Sequence, residues 1–231
     1  MRFKYLFLDL DGTLLDFERS EALAFVAAFA GEGLFTDDAM YETYRAINNA
    51  LWDAFEQGMV TKDHLVVERF RRFLAHYDSP VDPAYMNEVY INTLSFTCIE
   101  VPGARELLEA LAGKIPMALV TNGVAKAQYG RVKNARMAPF FEHVFISEEI
   151  GAQKPDPIFF KKALEACGNP DPAEVLIVGD SLSADMRGGI SSGLKTCWFN
   201  PKGLTDANNL PIDYTIDALD ELLPIILGED A

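Results

Sequence analysis

The sequence predicts an α/β fold: a doubly wound parallel sheet with an inserted helical-bundle domain. Three observations predict it. Short, almost continuously apolar runs recur at Tyr5–Leu8, Ile115–Val120 and Val175–Val178, the pattern of strands buried on both faces. Helical patterns separate these runs over about 130 residues, as in successive βαβ units. Each run ends in polar residues, where ligands bind outside the carboxyl ends of such strands.

The elements follow in order. The first strand ends at Asp9-Leu10-Asp11-Gly12-Thr13. Residues 17–97 then read as helical throughout. Thr36-Asp37-Asp38 and Thr61-Lys62-Asp63 are N-cap patterns with acidic first turns, and Asp82-Pro83 is a cap followed by proline at N1. Met40, Tyr44, Ile47, Leu51 and Phe55 recur at helical spacing, the core stripe of one helix. Turns near Gly31-Glu32-Gly33, Gly58 and Asp78-Ser79-Pro80 divide the segment into four helices. The sheet resumes with a helix at Ala104–Leu111, the strand Ile115–Val120 and a helix at Val124–Met137. A weaker strand at His143–Ile146 precedes a helix at Ile158–Cys167. Last come the strand Val175–Val178, a helix at Ala184–Ile190 and a weak strand at Lys195–Phe199. The expected division is a sheet domain of residues 1–16 and 98–231 and a bundle of residues 17–97.

Charge narrows the function. The 231-residue chain has 20 Lys and Arg against 35 Asp and Glu, a formal net charge of −15. Phosphate backbones need a basic footprint, so nucleic acid and anionic membranes are not expected partners. A small phosphorylated substrate remains open. No run is long enough to span a bilayer, the three cysteines show no metal spacing, and the expected setting is cytoplasmic.

The acids at the strand ends carry the chemistry. Asp9 and Asp11, two apart at a strand end, leave it on the same side. Two carboxylates so placed repel, unless a cation joins them or one is protonated for acid–base work. A solvated Asp-Gly turn is the plain alternative. Thr121-Asn122-Gly123 offers a hydroxyl and backbone donors at a helix start, suited to a phosphoryl group, and is also an ordinary turn. Lys154-Pro155-Asp156-Pro157 holds a lysine in a stiff segment, either to neutralise nearby acids or as a surface residue before a capped helix. Asp180 sits at the third strand tip, and Asp185 in the first turn beyond it. Both acids would face a cation beside Asp9, although Asp185 also reads as part of a cap network. Oxygen-only donors argue for Mg²⁺ over zinc.

In order and placement, DLDGT, Thr121-Asn122, Lys154-Pro155 and GDSLSAD resemble the four motifs of the haloacid dehalogenase superfamily. The helical insertion is similar to the C1-type cap of its subfamily I. Asn48-x-x-Leu51-Trp52, Ser147-Glu148-Glu149-Ile150-Gly151 and Gly188-Gly189-Ile190 resemble the pyrimidine 5′-nucleotidase branch. The resemblance implies a phosphatase of nucleoside monophosphates. Asp9 would be the nucleophile and Asp11 the general acid and base. Thr121, Asn122 and Lys154 would hold the phosphoryl group. Mg²⁺ would lie on the carboxylates of Asp9 and Asp180 and the Asp11 carbonyl, with Asp185 orienting its water. An acid at position 11 argues against halide displacement, which needs no proton on the leaving group. A phosphatase or mutase for sugar phosphates or phosphoglycolate is the alternative within enzymes, and an idle binding protein the alternative outside them.

Substrate choice is expected in the bundle, since the core motifs recognise only phosphate. Trp52 would stack on a nucleobase and Asn48 read its edge; the plainer reading puts Trp52 in the bundle core and Asn48 at an exposed or capping position. Arg69, Arg71 and Arg72 are expected on a solvated face, and Lys126, Arg131, Lys133 and Arg136 along a surface helix.

Overall fold

The computed structural model describes residues 1–228. Among them, six parallel strands form one sheet in the order β3-β2-β1-β4-β5-β6: β1 (Tyr5–Leu8), β2 (Met117–Thr121), β3 (His143–Ile146), β4 (Val175–Gly179), β5 (Lys195–Phe199) and β6 (Tyr214–Ile216). β1 lies between β2 and β4, with Phe7 opposite Ala118 on one side and Ile177 on the other. Every residue of β1, β2 and β4 is buried, as their unbroken apolar runs require. The order reverses between β1 and β4, which makes the tips of these strands the expected ligand position. β6 was not anticipated. It has three residues and only Ile216 is buried, so it carries almost no apolar signal.

The bundle helices are α1 (Phe17–Gly31), α2 (Asp38–Glu56), α3 (Lys62–His76) and α4 (Pro83–Leu94). The side chains of Asp37, Thr61 and Asp82 each accept from a backbone N–H of the first turn, so the caps read from sequence start α2, α3 and α4. The remaining helices are α5 (Ala104–Leu111), α6 (Ala125–Asn134), α7 (Ser147–Ile150), α8 (Pro157–Ala166), α9 (Arg187–Ser191) and α10 (Leu222–Leu227). Phe159, Phe160 and Ala163 of α8 pack with Phe7, Val120 and Ile177 in the core of the sheet.

Two compact units result. One comprises Met1–Phe17, Ile99–Ala125 and Ala135–Ala231; the other comprises Glu18–Cys98 and Lys126–Asn134. The second unit therefore takes in the body of α6, beyond the segment expected to form the bundle. Inside it, Phe25, Phe29, Tyr44, Phe70 and Phe73 form an aromatic core with ring centroids 4.7–6.5 Å apart.

A buried polar chain also crosses the bundle, one residue from each helix. Asn48 donates to Glu21 at 2.8 Å, and Arg69 donates to Asn48 at 3.1 Å and to Asn87 at 3.0 Å. The Arg69 guanidinium lies over the rings of Tyr90 and Phe70. Arg69 is thus interior rather than solvated, because its fork is satisfied and its charge faces Glu21 through an amide. Arg71 and Arg72 do stand in solvent, both bound to Glu68. Arg131 is also fully buried, against the expectation of a surface helix. Of the cysteines, Cys197 is buried and Cys98 and Cys167 are half-buried. Among the described residues, no helix is long and apolar enough to cross a membrane.

Candidate active site

The tips of β1, β2 and β4 bring the motif residues of the sheet unit together. Asp9 directly follows β1 and its backbone N–H donates to Val178 of β4, so its side chain leaves at the point of strand reversal. The carboxylate is buried. Lys154 reaches it from the loop between α7 and α8, its Nζ 2.6 Å from Asp9 Oδ1, 2.6 Å from Asp185 Oδ1 and 2.9 Å from the Val120 carbonyl. All three hydrogens of the ammonium therefore have acceptors. Lys154 is 2% exposed, so it is not a surface residue.

The charges explain each other. Burial pushes the Asp9 carboxyl well above the ordinary carboxylate range; the Lys154 charge opposes this, and Asp185, Asp180 and Asp11 add to it. Burial alone would pull the Lys154 ammonium down, but Asp185 and Asp9 outweigh it and hold the lysine above its usual value. Oxygens of Asp9, Asp180 and Asp185 lie within 4.8 Å of one another, with Asp180 exposed and the other two buried. Three carboxylates beside one ammonium leave an excess of negative charge that suits a hard dication bound through oxygen.

Two glycines let the acids come this close. Gly12 has φ of +82°, and a Cβ there would fall 2.2 Å from Asp180 Oδ2. A Cβ on Gly179 would fall 2.2 Å from Asp185 Oδ2. Ser181 caps the turn beyond β4 through Ala184, while its own N–H donates to Asp185 at 3.2 Å. Trp198 of β5 donates its indole N–H to the Asp180 carbonyl at 2.9 Å, which ties that strand tip to the sheet.

The Thr121 hydroxyl accepts from the Gly123 N–H at 3.1 Å. The Asn122 amide bonds the Lys154 backbone at both ends, donating to its carbonyl at 2.8 Å and accepting from its N–H at 2.9 Å. The Asn122 side chain thus aligns Lys154, a role distinct from direct contact with a phosphoryl oxygen. Beyond Lys154, Asp156 caps α8 and Pro157 starts it, as the motif suggested. Asp11 follows Asp9 in the same turn, in a bridge with Leu15. Thr13 was missed as a site residue: its buried hydroxyl donates to Asp9 Oδ2 at 3.4 Å. The signal was present in DGT itself, four residues after Asp9.

Asn48 and Trp52 belong to the helical unit. Asn48 is 1% exposed, and its amide bonds Glu21 and Arg69. The side chain expected to read a nucleobase is instead committed to the bundle interior, because Glu21 and Arg69 need a neutral bridge there. Trp52 is half-buried, packs edge-on to Phe55 at 5.5 Å and lies against Leu51 and Leu65. Its indole N–H has no hydrogen-bond partner among the described residues.

The doubly wound sheet thus gathers acids and a lysine at its switch point. The family model for haloacid dehalogenase-like hydrolases matches residues 3–193, and the chain belongs to that family. It is therefore an enzyme. It is 36% identical over 225 residues to the HAD-hydrolase YfnB of Bacillus subtilis, covering 97% of this chain and 96% of that one. It is 33% identical over 222 residues to the pyrimidine 5′-nucleotidase YjjG of Escherichia coli, covering 96% and 97%. It is 33% identical over 224 residues to the pyrimidine 5′-nucleotidase PynA of Streptococcus pneumoniae, covering 96% and 94%. A crystal structure of YfnB bound to magnesium superposes with a TM-score of 0.92, covering 98% of this chain and 99% of that one.

Proposed function

We propose that this hydrolase is a Mg²⁺-dependent phosphatase that works through an aspartyl-phosphate on Asp9, and that its substrates are pyrimidine nucleoside 5′-monophosphates. The observation that carries the reading is the Lys154 ammonium shared between Asp9 and Asp185. Its charge opposes the effect of burial on Asp9 and so favours the ionised carboxylate that a nucleophile needs. The donor set of Asp9, Asp180 and Asp185 is all oxygen and fits Mg²⁺. These carboxylates, with the Asp11 carbonyl, would hold the dication, which would supply the charge neutralisation that lets a dianionic phosphate approach several acids.

The chain's own residues do the rest. Asp9 attacks phosphorus in line and forms the new P–O bond. The leaving ester oxygen takes its proton from Asp11, which then accepts a proton from the water that hydrolyses the acyl-phosphate. Thr121 donates to the phosphoryl oxygens, Lys154 exchanges its bond to the Val120 carbonyl for one to a phosphoryl oxygen, Asn122 keeps Lys154 aligned, and Thr13 steadies Asp9. In the helical unit, Trp52 keeps an indole N–H without a partner among the described residues, and the proposal assigns it the contact with the nucleoside.

Phosphate release over pyrimidine and purine monophosphates, sugar phosphates and phosphoglycolate tests the substrate class. The proposal expects dUMP to be among the best substrates and activity to vanish on full chelation. Preference for a sugar phosphate would move the chain to another phosphatase class, and turnover without metal would remove the dication's role. Trp52→Phe keeps the ring and deletes the donor. It should weaken dUMP turnover and spare p-nitrophenyl phosphate; equal loss on both would make Trp52 a packing residue.

A further inference from the structure

The peptide group between Asp180 and Ser181 is held at both of its polar atoms. Its carbonyl accepts the Trp198 indole N–H at 2.9 Å. Its N–H donates to Asp185 Oδ2 at 3.2 Å. Trp198 stands opposite Gly179, the last residue of β4 in the pairing with β5, so Asp180 lies one residue past the ladder and its carbonyl needs a partner from elsewhere. A buried indole N–H needs an acceptor as well, and Trp198 is buried. Gly179 completes the arrangement, since a Cβ there would collide with the Asp185 carboxylate that this N–H binds. The next carbonyl, that of Ser181, accepts from the N–H groups of Asp185 and Met186 at 3.0 and 3.1 Å, so the turn that carries both acids is fixed as one piece.

The two acids differ in what else holds them. Asp185 is buried and shares the Lys154 ammonium with Asp9, whereas Asp180 is exposed. Packing does not fix an exposed carboxylate, so its direction follows from the backbone that carries it. We propose that Trp198 is a positioning residue for the dication: by pinning this one peptide group from β5, its indole N–H aims Asp180 and Asp185 at the same point. All of these residues lie in the sheet unit. The inference rests on the reading of Asp9, Asp180 and Asp185 as the Mg²⁺ donors, and it adds a residue outside that donor set. Groups that orient metal ligands from outside the set change metal affinity by about ten- to a hundredfold when they are removed.

Calorimetric titration of the metal-free protein with Mg²⁺ alone tests this on the unaltered chain and on Trp198→Phe, which keeps an aromatic ring and deletes the donor. The Kd for Mg²⁺ should rise about tenfold in the variant. Turnover of p-nitrophenyl phosphate should fall at limiting Mg²⁺ and return to within about twofold of the unaltered enzyme at saturating Mg²⁺, whereas metal would not make good a loss of packing alone. If Trp198→Phe does not fold, the indole N–H resonances of the isotope-labelled chain give the reading instead. The chain has two tryptophans, so Trp52→Phe assigns the Trp198 signal, and that signal should shift as Mg²⁺ saturates. Unchanged Mg²⁺ affinity in folded Trp198→Phe, a loss of turnover that saturating Mg²⁺ does not restore, or a Trp198 resonance that stays fixed while the metal binds would each overturn the proposal. Failure of the unaltered protein to bind Mg²⁺ would overturn the reading of the donor set itself, and the inference with it.

Discussion

The Lys154 ammonium decides the character of the site at the scale of single residues. It spends its donors on two acids and one carbonyl, so removing its charge leaves Asp9 and Asp185 facing each other in a buried pocket. The glycines matter as much as the charges. Gly12→Ala would place a methyl group inside the Asp180 carboxylate and strain a backbone at φ of +82°. The expected outcome is a folded protein with activity reduced at least about a hundredfold and weakened Mg²⁺ binding; near-normal kinetics for Gly12→Ala would show that Asp180 has room to move. The acids, the lysine and their order were legible in the sequence, because each follows an apolar run at a strand end. The inward commitment of Asn48, Arg69 and Arg131 was not. A single polar residue on a helix carries no local sign of whether partners on other helices will satisfy it, and its default reading is solvent.

At the scale of elements, the bundle combines an aromatic core with the chain Glu21–Asn48–Arg69–Asn87. Asn48→Leu would leave a buried carboxylate and guanidinium without their bridge. A loss of about 3–5 kcal/mol is expected, read by denaturant unfolding, and a loss below about 1 kcal/mol would mean that water or rearrangement replaces the amide. Helix α3 carries a pH signature. Hydrogen bonds from Arg71 hold the Glu68 carboxyl down to about 2, with burial opposing and Arg72 assisting. The unfolded chain takes up this proton near the ordinary value of 4.5, so between these values it binds more protons than the folded chain. Stability contributed by Glu68 is therefore present above about pH 4.5 and lost as pH falls toward about 2. Unfolding of Glu68→Gln across that range should show a shallower acid slope; an identical slope would remove Glu68 from the account. The strong strands, the caps of α2, α3 and α4 and the bundle were readable from periodicity and capping. β6 was not, since it has three residues, only one of them buried, and is held to β5 by backbone pairing rather than by an apolar face.

For the whole molecule, the acids behind a net charge of −15 divide into a solvated majority and a small group gathered at the tips of the central strands. That group carries repulsion which a bound dication would relieve. Mg²⁺ at about a hundredfold excess over its Kd should stabilise the folded chain by about 2.7 kcal/mol, about 5–10 °C in Tm at this size. Absence of a shift would mean that the cluster holds no dication. The central claim is nucleophilic catalysis by Asp9, and the direct measurement is phosphate release from dUMP with Mg²⁺ by the unaltered enzyme and by Asp9→Asn, both shown to be folded by circular dichroism. The account predicts turnover in the first and a loss of about a thousandfold or more in the second. Retained turnover in Asp9→Asn would contradict it and place the nucleophile elsewhere.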